Sequence, residues 1–215
     1  MKKIIYFLLT VFIVLNTSCS QDFLESETPS NVDENFMFTT PEESYKVLVD
    51  CYNIWQSADH AVYYEQEVPG SDSECHPEGY SAQGRHIPEG LFASEFNIND
   101  GSAAGFFTAA YAVIYRANVI ILNIEGKQEY KDAIAKGVPS VWTQQYGEAV
   151  AFRANMYYYL TRYFGDVPYF DTPIRTLSDV DGKGLDSRDV IYDKEIANLK
   201  AVEPFMYRIG EGGMT

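Results

Sequence analysis

The chain has 215 residues, of which 46% are hydrophobic and 22% are charged. This balance is typical of a folded globular protein with a real core and excludes a disordered tail. The formal net charge of −15 argues against nucleic acid or an anionic lipid surface as a partner, because basic residues are needed to release counterions from either. Aromatic residues reach 15%, and their rings can pack a core or stack on a ligand. Sugars, peptides and proteins therefore stay open as partners.

The first residues predict export. Lys2 and Lys3 precede an apolar run over residues 4–15, which is too short to span a bilayer but has the length of a secretory signal. Residues 1–18 are therefore predicted to be a signal peptide. The sequence Asn-Thr-Ser-Cys that follows the run ends at Cys19 and resembles a bacterial lipoprotein cleavage site, at which the cysteine is acylated and becomes the mature N-terminus. The alternative is an ordinary signal peptide followed by an incidental cysteine.

Residues 19–39 are polar and acidic and are predicted to be a lipid-anchored tether, with the folded domain over residues 40–215. Thr40 and Pro41 supply an N-cap and a proline at the first helical position, and Glu43 follows three residues after the cap. This pattern predicts a helix start. The helix is expected to face the core with the apolar residues that recur at its spacing, namely Tyr45, Leu48, Val49, Tyr52 and Trp55.

Between residues 58 and 101 the helical periodicity fails, and glycines and prolines break the chain into short pieces. Irregular segments of this length in compact domains are usually functional, so this loop region is the first candidate for a binding surface. Sugar rings lie on aromatic rings, and their hydroxyls need forked polar partners. The candidate ligand-binding residues are therefore Tyr80, Arg85, Phe96 and Asn97.

Further helices are predicted over about residues 102–125, 127–138 and 142–164, the last one closed by Gly165. Arg153 sits among aromatic residues of the last helix. It is expected to pair with Glu148 or Asp166 or to stack on a ring, and a structural ion pair is favoured.

No catalytic or cofactor motif is found, so neither an enzyme nor a cofactor is predicted and a glycosidase is a minor alternative. The group Asp72, Glu74, Cys75, His76 and Glu78 lacks the spacing of a metal site, and no metal is predicted. The acidic residues 179–186 are interpreted as a turn and not as a calcium loop. Cys51 and Cys75 are either paired or free.

The helix over residues 142–164 and the residues after it carry a family signature. They closely resemble the signature helix of the SusD/RagB family of Bacteroidetes nutrient-binding lipoproteins, in the string Gly147-Glu148-Ala149, Phe152-Arg153-Ala154, Tyr157-Tyr158, Leu160, Arg162 and Phe164-Gly165-Asp166-Val167-Pro168. The preceding helix is similar through Tyr111, Ile114, Arg116-Ala117-Asn118 and Ile121, and the following one through Arg188, Ile191-Tyr192, Ile196 and Asn198-Leu199.

The resemblance implies an all-α fold of tetratricopeptide-like helix pairs, the SusD-like α-α superhelix, with long irregular loops. It implies a non-catalytic lipoprotein on the outer face of the outer membrane that binds a glycan or oligosaccharide, or in some members a peptide. It also implies delivery to a SusC-like TonB-dependent β-barrel transporter. Family members are longer than this chain, so residues 40–215 are expected to be the N-terminal part of a larger domain, incomplete at its C-terminal end. The alternative function is a helical-repeat scaffold without its own substrate site.

Overall fold

The computed structural model describes residues 34–62 and 101–212, with side chains described for residues 34–56 and 104–212. Two compact units are distinguished, Met1–Phe36 and Met37–Thr215. The described residues form helices α1 (Glu34–Met37), α2 (Pro41–Val62), α3 (Gly101–Glu125), α4 (Gln128–Lys136), α5 (Val141–Phe164) and α6 (Arg188–Val202), with 3-10 turns at Leu177–Asp179 and Glu203–Phe205. Within these ranges the backbone forms no sheet, only an isolated bridge between Val167 and Asp186. The predicted all-α fold is confirmed.

The helix ends follow local sequence signals. Thr40 Oγ1 accepts a hydrogen bond from the Glu43 N–H at 3.3 Å at the start of α2. At the start of α5, Ser140 and Thr143 form a reciprocal capping box. Gly137 ends α4 at a φ of 67°, in the left-handed region that favours glycine. These caps explain why the predicted boundaries agree closely with the observed helices.

The core lies where α3 packs against α2 and α5, and where α5 packs against α6. Phe38 is buried in this core, although it falls in the range predicted as tether. By length and composition, Ala104–Glu125 of α3 can cross a membrane, but 50% of this window is buried inside the fold, as expected for the central helix of a helical domain. The largest fully buried side chains include Tyr157, Phe38, Leu48, Ile114, Ile120, Ile124, Met156, Leu160 and Ile191.

The buried face of α2 is rotated from the predicted one. Leu48 is buried, as expected, and Trp55 is partly buried against the core. The prediction was wrong for three residues of the stripe, because the exposed large hydrophobic side chains include Tyr45, Val49 and Tyr52.

Small residues and a charged contact account for this rotation. Ser44 and Cys51 complete the buried face of α2 and leave room for close approach of neighbouring helices. Asp50 forms an ion pair with Arg116 of α3. A tyrosine can lie at the boundary between core and solvent because its ring packs against apolar atoms while its hydroxyl reaches water or a polar group.

The segment after α6 is held on α5. Gly147 is buried, and a Cβ atom there would lie 2.6 Å from Met206 Sδ. The Tyr207 N–H donates to Gln144 Oε1 at 3.0 Å. The absence of a side chain at Gly147 therefore allows the chain after the Glu203–Phe205 turn to pack directly on α5.

Candidate functional site

A buried ion pair joins α5 to α6. Arg153 is 4% exposed and Glu195 is 3% exposed. Arg153 Nε donates to Glu195 Oε1 at 2.9 Å, and Arg153 Nη1 donates to Asn118 Oδ1 of α3 at 2.9 Å. The expected structural ion pair is therefore present, but the expected partners were wrong. Glu195 takes the role assigned to Glu148 or Asp166 because α6, which follows later in the chain, packs against this face of α5.

The same network fixes the loop that follows α5. Tyr169 donates its hydroxyl to Glu195 Oε1 at 2.6 Å. Burial, and next the hydrogen bond to Glu195, raise the pKa of Tyr169 well above its ordinary value. Asn118 Nδ2 donates to the carbonyl oxygens of Phe170 and Thr172 at 2.9 and 3.2 Å. Because its amide oxygen accepts from Arg153, Asn118 is bonded on both sides.

Two further tyrosines clamp this loop. Tyr157 is fully buried, and its hydroxyl donates to the Phe170 carbonyl at 3.2 Å and accepts from the Phe170 N–H at 2.6 Å. Tyr111 donates to the Pro168 carbonyl at 2.7 Å. The backbone of residues 168–172 is thus held by side chains of α3 and α5, and Glu195 of α6 holds the side chain of Tyr169.

A cavity of about 290 Å³ lies beside this network, between α3, α5, α6 and the fixed loop. Its polar lining includes the buried Arg153 and Asn118 together with the carboxylates of Glu125 and Asp171. The remaining described lining residues are Ile121, Leu122, Tyr146, Val150, Thr172, Pro173, Asn198, Ala201 and Val202. The cavity therefore places forked hydrogen-bonding groups beside apolar surface.

One wall of the cavity is a tyrosine held in place from two sides. Tyr146 donates its hydroxyl to Glu125 Oε1 at 2.7 Å, and the centroids of the Tyr130 and Tyr146 rings are 4.8 Å apart. Burial, and next the hydrogen bond to Glu125, raise the pKa of Tyr146 far above its ordinary value. Tyr146 therefore stays neutral and leaves Glu125 as an acceptor at the rim.

The polar side chains of this site can donate and accept hydrogen bonds. The charge of Arg153 is balanced by Glu195 and is fixed by two hydrogen bonds, so it is suited to orient a ligand. Over the part of the chain that the structure describes, no group of three or more His, Cys, Asp or Glu residues is placed to hold a metal ion.

None of the site residues predicted from sequence falls within the described ranges. The lipidation residue Cys19 and the ligand-binding candidates Tyr80, Arg85, Phe96 and Asn97 all lie outside the described residues, as does the acidic group around Cys75. Cys51 is a buried free thiol whose pKa is raised by burial to about 12. Residues 179–186 contain a turn, as predicted. The backbone N–H groups of Arg175 and Thr176, just before it, donate to Asp179 and lower its pKa.

Sequence reasoning missed the cavity. Its signal was present in Asn118, a polar side chain on the otherwise apolar α3, and in Arg153, a charged one in the apolar pattern of α5. Polar groups at such positions are buried only with partners.

The comparisons with known proteins assign the family. Residues 22–190 match the SusD-like family described as starch-binding and associating with the outer membrane. The chain is also 29% identical over 118 residues to SusD-like protein P2 of Formosa agariphila, and the match covers 53% of this chain and 21% of that protein. The match thus spans about a fifth of the relative's length. No solved structure matches the chain significantly. The helical fold and the match over residues 22–190 agree, and the chain belongs to the SusD-like family.

Proposed function

We propose that this protein captures a nutrient glycan at the outer face of the outer membrane and passes it to a SusC-like TonB-dependent β-barrel transporter. The observation that carries the proposal is the family match over residues 22–190. The signal sequence with its terminal cysteine supports export to that membrane. The acidic composition and high tyrosine content fit a neutral sugar ligand better than a polyanion.

The main experiment combines glycan capture with partner capture. The full mature protein is screened on a glycan array and by calorimetry, and is purified under mild detergent to identify bound membrane proteins. Saturable binding to one polysaccharide class, with a β-barrel transporter co-purifying, supports the proposal. A folded protein that binds neither glycan nor transporter overturns it.

The lipid anchor is proposed at Cys19. Metabolic labelling with a fatty-acid analogue should mark the wild-type protein and not the Cys19→Ala variant, and globomycin should block the shift in gel mobility that follows signal cleavage. Cys51→Ala is the matched control, because a buried thiol inside the fold is not expected to carry the label. Unlabelled wild-type protein would leave the ordinary signal peptide as the correct interpretation.

The ligand contacts are proposed at Tyr80, Arg85, Phe96 and Asn97. Alanine at Arg85 or Phe96 should lower glycan affinity by about tenfold or more, since a lost stacking or forked contact is worth on the order of 1.4 kcal/mol. Circular dichroism controls for folding. An unchanged affinity in a folded variant removes that residue from the site.

A second function, that of a helical scaffold for other surface proteins, is favoured by one specific observation. The face of α2 that carries Tyr45, Val49 and Tyr52 is exposed in the described structure, and exposed apolar faces often bind proteins. Under this alternative, the purified protein would co-purify with surface proteins while binding no glycan.

A further inference from the structure

We propose that the cavity between α3, α5 and α6 is a binding site for a single sugar unit that carries no acidic group. It is proposed in addition to the ligand contacts at Tyr80, Arg85, Phe96 and Asn97. The inference rests on the proposed function only in the choice of sugars among polyhydroxylated ligands.

The size of the cavity sets the size of the ligand. A volume of about 290 Å³ lies at the lower limit of small-molecule sites, which begin near roughly 300 Å³. Such a space accommodates one sugar ring and not an extended oligosaccharide. The ligand is therefore a monosaccharide or the terminal unit of a glycan.

A buried donor remains available in the cavity. Arg153 uses Nε and Nη1 for Glu195 and Asn118, and the described structure shows no hydrogen bond from Nη2. Nη2 is also not among the buried side-chain atoms that are sealed from solvent without a partner. Because Arg153 lines the cavity, we infer that this free edge of the guanidinium faces the cavity, where it can donate to a ligand hydroxyl.

The charges disfavour an acidic ligand. Glu125 and Asp171 line the cavity, so an acidic sugar would meet like charges, which costs affinity. The charge of Arg153 is already balanced by Glu195 and does not offset this repulsion. Sugar hydroxyls can donate to the carboxylates and accept from Arg153 at once.

The apolar lining suits the carbon face of a sugar. Leu122 is exposed at the cavity, and Val150 is buried against it. Sugar rings combine a C–H face with hydroxyl edges, and the alternation of aliphatic and forked polar groups here matches both.

Methyl NMR on the full mature protein tests this site directly. Glucose, galactose and mannose are titrated against methyl-labelled protein, with glucuronate as the acidic probe. Saturable shifts of the methyl signals of Ile121, Leu122 and Val150 with at least one neutral sugar, and weaker shifts with glucuronate, are the expected result. Unchanged methyl signals, nonsaturable shifts, or a preference for glucuronate overturn the inference.

A matched pair of variants locates the binding. Ala201 and Ala197 are both exposed residues of α6, but only Ala201 lines the cavity. Ala201→Phe should fill the cavity and lower sugar affinity by about tenfold or more, whereas Ala197→Phe should leave it unchanged. Equal effects of both variants, or none from Ala201→Phe, would show that the sugar binds elsewhere.

The outcome is distinguishable from that of the proposed function. Polysaccharide binding without methyl shifts removes the cavity site and leaves glycan capture in place. Methyl shifts without polysaccharide binding or a transporter partner support the cavity site and remove the capture role.

Discussion

Replacing Arg153 by methionine should destabilise the fold more than an ordinary surface change. The Arg153–Glu195 pair joins side chains that are both 5% exposed at a distance of 2.9 Å. At an effective dielectric constant of about 20, the attraction at this distance is about 6 kcal/mol. Desolvation costs several kcal/mol for each ion, so the intact pair contributes little net stability. Removing only the cation leaves the carboxylate buried, and the expected loss is about 3–5 kcal/mol.

A double-mutant cycle separates the ion pair from packing. Arg153→Met, Glu195→Leu and the double variant are unfolded in urea, with circular dichroism as the readout and equal m-values as the check on the denatured state. The double variant contains no stranded charge. Its loss of unfolding free energy should therefore be smaller than the sum of the two single losses by at least about 2 kcal/mol.

The hydrogen bonds of Glu195 explain why the double variant should not regain the full stability of the wild-type protein. Its Oε1 accepts from both Arg153 and Tyr169, whereas Oε2 is buried without a partner among the described residues. The double variant leaves the Tyr169 hydroxyl and Asn118 Oδ1 without these bonds, which costs about 1–3 kcal/mol for each buried group. Additive single losses, or a loss below about 1 kcal/mol for Arg153→Met, would refute a buried, energetically coupled pair.

Three other changes have defined outcomes. Gly147→Ala should destabilise by about 1–3 kcal/mol because its Cβ would overlap Met206; in a Met206→Ala background the same change should be neutral or stabilising by up to about 1 kcal/mol, and thermal melts of the four proteins decide. Ser140→Ala should lower the free energy of unfolding by about 0.5–2 kcal/mol by removing the cap on the Thr143 N–H. Ser140→Asp keeps a capping oxygen and should unfold at nearly the same urea concentration as the wild-type protein. Burial raises the pKa of Cys51 to about 12, so the folded thiol keeps a proton that the unfolded chain loses above about pH 8.5. The stability that Cys51 contributes is therefore fully present below about pH 8.5. As the pH rises from there towards 12, the free energy of unfolding falls by up to about 1.4 kcal/mol per pH unit. Equal slopes of unfolding free energy against pH for the wild-type protein and Cys51→Ala would contradict this.

The helices could be predicted from local signals because each signal acts within one or two turns. Pro41, Gly137 and Ser140 fix helix ends through their own backbone geometry or caps, and such effects can be read from short sequence windows. The family resemblance added the overall architecture.

The buried face of α2 could not be predicted in the same way. Tyr45, Val49 and Tyr52 form an apolar stripe in sequence, yet the chain buries the neighbouring face of Ser44 and Cys51. The Tyr52 ring meets the edge of Phe152 with centroids 4.5 Å apart, and its hydroxyl donates to Glu148 at 3.3 Å. Periodicity assigns a face by hydrophobicity alone, whereas contacts between helices also depend on side-chain volume.

The cavity shows a more general limit of prediction from sequence, which is that contacts between helices are not encoded locally. Arg153 is 35 residues from Asn118 and 42 residues from Glu195 along the chain, and each residue lies on a different helix. Periodicity gives the phase of one helix but not its rotation relative to the next, so it identifies a polar residue in an apolar pattern without identifying its partner. Such a residue is evidence that a partner exists, because a buried polar group without one is costly. The useful inference from sequence was therefore an ion pair at Arg153, and only the packing of α6 on α5 determines that Glu195 completes it and that a cavity remains beside it.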